Sequence, residues 1–341
     1  MSLPLKAEIS LENIKNNACA VKKLAGKSKF CAVVKSDGYG HGAVEVANAL
    51  YGVADCFAVS LANEGIKLRI AGIDKPIIIL TPVYPETARE LIRYDIEIPV
   101  SDEREVDMVC KAAKREGKTA KVHIAVNTGM NRLGASEISV VNGVANAVNA
   151  DKSLILKGAF SHFCNPSDDD FTEYQYGGFL KLINGIKRKN PDIILHIAAS
   201  GGILKNKKYR LDMVRCGLLL YGYSPLKTSE ITVTPAMKVY SKIAAIRSGV
   251  LKKHVLYGDF LSEVNDITVL RMGYGDGFFR CGQSENVNNL CMDLCAVKGK
   301  LSGECGYVPV MTNAEKTAEE LKTIPYEVLI AAARRADRVY I

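Results

Sequence analysis

Short apolar runs alternate with longer amphipathic stretches along the first two thirds of the chain. Such runs, rich in Val, Ile, Leu and Phe, are typical of buried β-strands, whereas the stretches between them have helical spacing. The runs are FCAVV (30–34), CFAVS (56–60), PIIIL (76–80), EIPVS (97–101), KVHIAV (121–126), LKGAF (156–160), ILHIAAS (194–200) and VRCGLLLYG (214–222).

The amphipathic stretches predict helices between the strands. A first helix is expected at about Leu11 to Ala25, ahead of the first run. Between Asp102 and Arg115 an apolar face recurs at helical spacing, and Ser101 and Asp102 stand where a helix cap is expected. Strands that alternate with helices indicate a parallel sheet.

Eight such units in one stretch of chain favour a (β/α)8 TIM barrel, with an open doubly wound sheet as the alternative. After Pro225 the pattern changes to strand-like runs separated by turns, such as 237–246, 267–273 and 289–299. We therefore expect a barrel domain over residues 1–225 and a smaller, mostly β carboxy-terminal domain over 226–341. A short helix is expected there near Ala314 to Leu321, before a final run to Ile341.

Composition narrows the function classes. The chain has 341 residues, 48% hydrophobic and 24% charged, with a net charge of +8 spread along it. No basic block with interleaved aromatics is present, so a nucleic-acid partner is not expected. No apolar run approaches the roughly 20 residues that span a bilayer, so a membrane partner is not expected either.

Cysteine and histidine spacing suggests neither a disulfide framework nor a metal site. The ten cysteines form no C-x-x-C pair, and most lie in apolar runs, which together with the absence of a signal-like amino terminus points to the cytoplasm. The five histidines are scattered without H-x-x-x-H spacing, so no metal is expected.

The stretch CAVVKSDGYGHG at 31–42 places Lys35 at the end of a buried strand, beside a glycine-rich turn. A lysine there can snorkel to solvent. It can also be desolvated enough to act as a nucleophile or Schiff-base amine. Asp37 and His41 are assigned to the chemistry of the turn rather than to catalysis.

In a (β/α)8 barrel the active site lies where the strands end, so polar residues at those ends become candidates. The Ser200–Gly202 turn opens a helix and is a candidate phosphate cradle, because unpaired N–H groups favour an anion. The other candidates at strand ends are Lys35, Tyr39, Asn127, Thr128, Met130, Arg132, His162, Arg215, Gly217 and Leu218.

Several segments, in this order along nearly the whole chain, resemble the alanine racemase family: VVKSDGYGHG, NTGMNRLG, SHF (161–163), VRCGLLLYG, VLYGDF (255–260), MGYGDGF (272–278) and CMD (291–293). The resemblance implies a barrel, a β-rich second domain, and pyridoxal 5'-phosphate (PLP) as cofactor. It also implies a homodimer whose active sites are shared between subunits.

The resemblance further implies a role for each matching residue. Lys35 would hold PLP and act as one catalytic base, and Tyr257 of the other subunit would act as the second. Arg215 would form a hydrogen bond with the pyridine nitrogen, and His162 would lie behind the cofactor ring. Phosphate contacts would come from Tyr39, Ser200, Gly217 and Leu218. Arg132 would contact both the phenolic oxygen of the cofactor and the substrate carboxylate, and further substrate contacts would come from Tyr274, Met292 and Asp293.

Four positions depart from the family pattern. Ala125 stands where many members carry a lysine that is often carbamylated, so Arg132 needs another partner. Asn127 replaces a common aspartate, Ala199 replaces an asparagine, and Arg334 stands where many members have a phosphate-contacting tyrosine.

The sequence therefore predicts a PLP-dependent racemase that interconverts L-alanine and D-alanine and supplies D-alanine for peptidoglycan. A serine or broad-specificity racemase is the alternative, because a methylene is worth only about 1–3 kcal/mol to a pocket. A PLP-binding carrier protein would match the barrel alone. A PLP decarboxylase would carry a cysteine-containing motif that the chain lacks.

Overall fold

The computed structural model describes residues 4–226, 230–250, 254–259, 265–280, 287–288 and 290–341. Residue 260 of the segment VLYGDF and residue 289 of the run 289–299 lie outside these ranges. Within them, no helix combines the length and apolarity that a membrane span requires.

Seventeen strands and eleven helices occur along the described chain. The strands are β1 Leu5–Ile9, β2 Lys29–Val33, β3 Cys56–Val59, β4 Ile77–Ile79, β5 Ile98–Val100, β6 Ala120–Ala125, β7 Leu154–Phe160, β8 Ile194–His196, β9 Met213–Cys216, β10 Met237–Ser248, β11 His254–Val255, β12 Gly258–Asp259, β13 Asp266–Leu270, β14 Val287–Asn288, β15 Cys295–Lys298, β16 Tyr307–Met311 and β17 Asp337–Tyr340. The helices are α1 Leu11–Ala25, α2 Lys35–Tyr39, α3 Ala43–Ala49, α4 Ala62–Ile70, α5 Pro85–Arg93, α6 Glu103–Glu116, α7 Ile138–Ala150, α8 Asp169–Lys189, α9 Ser200–Lys205, α10 Ala314–Leu321 and α11 Pro325–Ala332.

Strands β2 to β9 form the parallel barrel that the sequence predicts. Two four-stranded parallel sheets, in the orders β4-β3-β2-β9 and β5-β6-β7-β8, account for the eight apolar runs. A parallel bridge between Ile78 and Glu97 joins β4 to the start of β5. At the other seam, the Arg215 amide donates to the Ala198 carbonyl at 3.0 Å and connects β9 to the end of β8.

The barrel strands are buried along nearly their whole length, as parallel strands covered by helices are expected to be. Strands β3, β4 and β5 expose none of their residues, and Phe30 and Phe57 are among the largest fully buried side chains. The helix over 103–116 begins at Asp102, whose side chain accepts from the Glu105 amide at 2.9 Å. The cap predicted there is present.

The contacts divide the chain into two compact units. One contains 14–38 and 43–234, and the other contains 1–13, 39–42 and 235–341. The division after residue 225 that the sequence predicts stays a prediction.

The second unit is built on a seven-stranded sheet in the order β14-β15-β13-β10-β1-β17, with β16 also paired to β10. Strand β1 was not predicted. It pairs antiparallel with β10 and parallel with β17, so residues from the start of the chain complete a sheet made mostly of its last hundred. Helix α10 lies where the sequence predicts it, whereas α11 was not predicted.

Gly158 in β7 lies opposite His123 of β6, at a register shift in that strand pair. A Cβ at position 158 would lie 2.5 Å from His123 Nδ1 and 2.5 Å from the Ile194 carbonyl oxygen. Gly177 in α8 serves as a control, because a Cβ there would meet nothing within 4 Å.

We expect Gly158→Ala to destabilise the chain by roughly 1–3 kcal/mol, because the added methyl overpacks a closed site. Gly177→Ala should be neutral or stabilising, since alanine is preferred by about 1 kcal/mol in a helix. Calorimetric unfolding midpoints at matched cofactor concentration measure both effects. Equal midpoints for the two variants would contradict the packing argument.

Candidate active site

Lys35 follows the buried end of β2 and begins a left-handed turn. Ser36, Asp37 and Gly38 have φ of 51°, 52° and 65° and ψ of 48°, 49° and 41°, which is the left-handed helical region. For residues with a Cβ this conformation costs roughly 1–2 kcal/mol each. Such strain persists only where neighbouring groups fix the backbone.

The neighbouring groups that fix this turn are two carboxylates and a carbonyl. Glu64 Oε1 accepts from the Ser36 amide at 2.6 Å, and Asp37 Oδ1 accepts from the Ala43 amide at 3.1 Å. The Gly38 amide donates to the Val34 carbonyl at 2.9 Å. Asp37 therefore shapes the turn, as the sequence predicts, and Glu64 is a contributor that sequence reasoning missed.

The half-buried Lys35 amine lies among other cations. Burial is the largest cause that lowers its pKa, and the charges of Arg132 and Arg215 lower it further, against an opposing effect of Glu64. A lysine with a lowered pKa has a larger neutral fraction, and the neutral amine is the nucleophilic and basic form.

Arg215 in β9 is 3% exposed and makes its hydrogen bonds through the two terminal nitrogens. Nη1 donates to Nδ1 and the carbonyl oxygen of His196, both at 2.8 Å. Nη2 donates to the Ser161 carbonyl at 2.7 Å and to His162 Nδ1 at 3.1 Å. Among the described residues none accepts from Nε, so this N–H is available to a ligand.

The imidazole of His162 is held as a neutral acceptor. Because arginine can only donate, its contact with His162 Nδ1 requires that nitrogen to be unprotonated. Burial, followed by the charges of Arg215, Arg132 and Lys35, lowers the pKa of His162 to about 3.

Ser200 lies at the first residue of α9, with its hydroxyl against the turn after β9. Its Oγ accepts from the amides of Gly217 at 3.3 Å and Leu219 at 3.4 Å. Accepting twice leaves the hydroxyl proton for an acceptor such as a phosphate oxygen. The structure thus brings Ser200, Gly217 and Leu218 together.

Two glycines keep the start of α9 close to its neighbours. A Cβ at Gly201 would lie 2.7 Å from a Pro166 carbon, and one at Gly202 would lie 2.8 Å from the Phe163 ring. The Ser-Gly-Gly sequence is therefore also a packing requirement.

Arg132 is exposed in the loop after β6, and no described residue forms an ion pair with it. Asn127 shapes that loop, because its Oδ1 accepts from the amides of Gly129 at 3.1 Å and Asn131 at 3.0 Å. Ala125 lines a cavity of about 30 Å³ beside Arg132. With alanine at position 125, Arg132 was expected to need another partner, and none of the described residues forms an ion pair with it.

Tyr39 belongs to the second unit, where it is buried and its ring lies 5.7 Å from that of Tyr326. Tyr257 is also in this unit, in the turn between β11 and β12, and is 83% exposed. Its neighbour Leu256 has a φ of +55°.

In the second unit, backbone hydrogen bonds join the loop that carries Tyr274 to the loop that carries Met292 and Asp293. The Tyr274 amide donates to the Cys291 carbonyl at 3.0 Å, and the Gly275 amide donates to the Met292 carbonyl at 2.9 Å. All three predicted substrate contacts of this unit therefore lie on two adjoining loops.

A pair of arginines fixes these two loops. Arg335 Nη1 lies 3.2 Å from Asp276 Oδ1 and 3.4 Å from Asp293 Oδ1. Arg271 Nη1 donates to the Asp293 carbonyl at 2.5 Å. Arg334, the residue expected to contact phosphate, is exposed.

Sequence reasoning missed three buried polar residues behind Arg215, namely Glu97, His123 and His196. All three lie within or directly before barrel strands and are at most 4% exposed. The available signal was a polar residue inside an apolar run, in EIPVS, KVHIAV and ILHIAAS. Among the described residues, no group of three or more His, Cys, Asp or Glu could hold a metal ion.

Comparison with known proteins gives matches of the same kind along nearly the whole chain. The family model "Alanine racemase, N-terminal domain" matches residues 9–225, and "Alanine racemase, C-terminal domain" matches 236–340. An alanine racemase of Treponema denticola is 34% identical, over 98% of each chain. The solved alanine racemase of Clostridium difficile 630 is 31% identical with a TM-score of 0.91, over 100% of this chain and 96% of that one. The solved alanine racemase of Bacillus anthracis with bound L-Ala-P is 26% identical with a TM-score of 0.90, over the same shares.

We expect the His162 ring to stay neutral down to about pH 5, whereas an unfolded histidine titrates near 6.5. Below about pH 6.5, His162 is therefore protonated in the unfolded chain but stays neutral in the folded chain. The free energy of unfolding then decreases as the pH decreases. NMR titration of the ring C–H signals, assigned with His162→Gln, measures this. A His162 midpoint above about pH 6 would contradict the burial argument.

Proposed function

The chain belongs to the alanine racemase family, whose members are PLP-dependent isomerases, and we propose that Lys35 and Tyr257 are the two bases with which it interconverts L-alanine and D-alanine. The observation that carries this proposal is the position of Lys35. It is a half-buried amine at the end of a barrel strand, and burial, followed by the charges of Arg132 and Arg215, lowers its pKa.

The residues around Lys35 fit PLP. The lysine amine would hold the cofactor covalently, and the Nε–H of Arg215, which no described residue accepts from, suits an unprotonated pyridine nitrogen. The Ser200 hydroxyl, which the Gly217 and Leu219 amides hold in place, and the turn at Gly217 and Leu218 suit the phosphate. When bound, PLP withdraws electrons from Cα of the amino acid and so weakens its Cα–H bond.

Arginine at the pyridine nitrogen limits side reactions. A guanidinium does not release its proton at ordinary pH, even though burial lowers the pKa of Arg215 to about 10. As such a donor at the pyridine nitrogen, Arg215 would keep that nitrogen unprotonated and the electron withdrawal moderate. This favours return of the proton to Cα over transamination.

Racemisation requires proton transfer on both faces of Cα, and one fixed amine can reach only one face. Lys35 would serve one face, and its lowered pKa enlarges the fraction of neutral amine that can act as a base. Tyr257 would serve the other face, and we propose that it comes from the partner subunit of a homodimer. The 83% exposure of this tyrosine at a hairpin tip supports that proposal.

The substrate contacts follow from charge. Arg132, exposed and without a described ion pair, would bind the substrate carboxylate, as arginine prefers. From the partner subunit, Tyr274 and Met292 would lie around the same carboxylate, and Asp293, whose own carboxylate pairs with Arg335, would line the entrance. Tyr39 and Arg334 would add phosphate contacts, and His162 would back the cofactor ring.

We propose alanine as the substrate, with serine or a broader set of amino acids as the alternative, and D-alanine for peptidoglycan as the product's use. A PLP-binding carrier is disfavoured by the match to the carboxy-terminal domain. We also propose a cytoplasmic location, supported by the nine free cysteine thiols of the described residues.

With added PLP, the protein should racemise L-alanine faster than any other amino acid in a chiral-chromatography panel. Tyr257→Phe should slow solvent-deuterium exchange at Cα by about 10²–10⁴-fold for one enantiomer and far less for the other, because it removes one base. Tyr240→Phe is the matched control and should change neither rate. Equal losses for both enantiomers, with normal cofactor binding, would exclude a face-specific role.

Mixed subunits test the shared site. Lys35→Ala and Tyr257→Phe homodimers should each be nearly inactive, whereas a hybrid dimer holds one intact site. Mixing them under conditions of subunit exchange should restore up to about a quarter of the wild-type activity, since half the dimers are hybrids with one intact site of two. Exchange proven by mass spectrometry without recovery of activity would mean that the two bases act within one subunit.

A further inference from the structure

Four buried polar side chains form a single hydrogen-bonded line through the barrel, which we term the relay: Glu97, His123, His196 and Arg215. Glu97 Oε2 lies 2.7 Å from His123 Nε2, and His123 Nδ1 lies 3.1 Å from His196 Nε2. His196 Nδ1 lies 2.8 Å from Arg215 Nη1. None of the four is more than 4% exposed.

Arginine at one end fixes the direction of every hydrogen bond. Since Arg215 can only donate, His196 must accept at Nδ1 and carry its proton at Nε2. That proton is donated to His123 Nδ1, so His123 carries its own proton at Nε2 and donates it to Glu97. All donors therefore point from the cation towards the carboxylate.

The relay is consistent only with two neutral imidazoles. A protonated His123 would direct an N–H at His196 Nε2, and His196 would then have to accept at both nitrogens, which a neutral ring cannot do. Burial, followed by the charge of Arg215, lowers the pKa of His196 well below its ordinary value. The Glu97–His123 contact is thus a hydrogen bond to a carboxylate rather than an ion pair.

Glu97 is an acceptor held firmly in place. Its amide donates to the Ile77 carbonyl at 2.8 Å, and its carbonyl accepts from the Ile79 amide at 3.0 Å, which ties it to β4. Burial raises the pKa of Glu97 and the hydrogen bond donated by His123 lowers it, with a net lowering that keeps the carboxylate ionised.

Gly158 makes room for the centre of the relay. His123 is on β6 and His196 on β8, and β7 lies between them with Gly158 opposite His123. A methyl at position 158 would lie 2.5 Å from the Nδ1 atom that accepts from His196. The missing side chain on β7 allows the two imidazoles to meet.

We propose that Glu97 and His123 are positioning residues that fix the tautomer of His196, so that Arg215 keeps Nη1 engaged and Nε directed to the pyridine nitrogen of PLP. This inference rests on the proposed function. Stability alone accounts poorly for the relay, because buried polar groups can often be replaced by apolar residues without loss of stability. If the relay serves to fix the direction of its hydrogen bonds, its last member must be a group that can only accept. The carboxylate of Glu97 is such a group.

Glu97→Gln is the sharpest variant, because an amide of the same shape can either accept or donate. We expect the His123 proton to distribute over Nδ1 and Nε2, with a corresponding loss of the His196 Nε2–H population. Two-dimensional ¹⁵N NMR of the histidine rings measures both populations, with and without PLP. The wild type should show protons only at Nε2 of both rings, and His196 protonated at Nδ1 would overturn the proposal.

With PLP bound, Glu97→Gln should lower kcat/KM for alanine about 10- to 100-fold, the range for outer partners that orient a functional group. Transamination per turnover, measured as pyridoxamine 5'-phosphate, should rise. Glu97→Asp should partly restore both, because its carboxylate can only accept. Glu105→Gln removes a half-buried carboxylate hydrogen-bonded to Ser101 and should change neither.

A double-mutant cycle separates positioning from general stability. If Glu97 acts through Arg215, Glu97→Gln should have little further effect on kcat/KM in an Arg215→Lys background. Additive losses of kcat/KM, or unchanged histidine tautomers in Glu97→Gln, would overturn the proposed role of the relay and leave the proposed racemase function intact. Absence of racemisation by the wild type would reject the proposed function, and the NMR result would still stand.

Discussion

One buried cation, the guanidinium of Arg215, constrains the interior of the barrel. Burying a charge without a partner is costly, and no carboxylate of the described residues touches this one directly. Instead, it donates to the backbone carbonyls of Ser161, Ile197 and His196 and to two neutral imidazoles. The carboxylate that balances it, Glu97, lies two histidines away. This arrangement uses Nη1 and Nη2 fully and leaves Nε as the donor for a ligand.

Burial and two arginines determine the electrostatics of the candidate site. Burial is the largest cause of the lowered pKa of both Lys35 and His162, and the charges of Arg132 and Arg215 lower both values further. A site with three basic side chains and a neutral imidazole attracts a phosphate and a carboxylate, and binding these anions relieves the repulsion among the cations. Cofactor and substrate would thereby stabilise the arrangement that binds them.

How much the sequence predicts depends on the range of the interaction. The eight barrel strands and Lys35 at a strand end follow from local apolar runs and a glycine-rich turn, and the parallel order of strands brings Ser200 beside Gly217. Strand β1 was missed because its partners lie more than two hundred residues away. The relay was missed because it depends on register: one residue's shift between β6 and β7 would move Gly158 away from His123.

The backbone after Lys35 shows what placing this amine costs the fold. Ser36 and Asp37 occupy left-handed conformations that each cost roughly 1–2 kcal/mol, although glycine would adopt them freely. Glycine at these positions would lose the Asp37 carboxylate that caps α3 at the Ala43 amide. It would also give the turn freedom that Glu64 now restricts. The strain is therefore the consequence of a rigid turn, and a rigid turn keeps a base at one face of a substrate carbon.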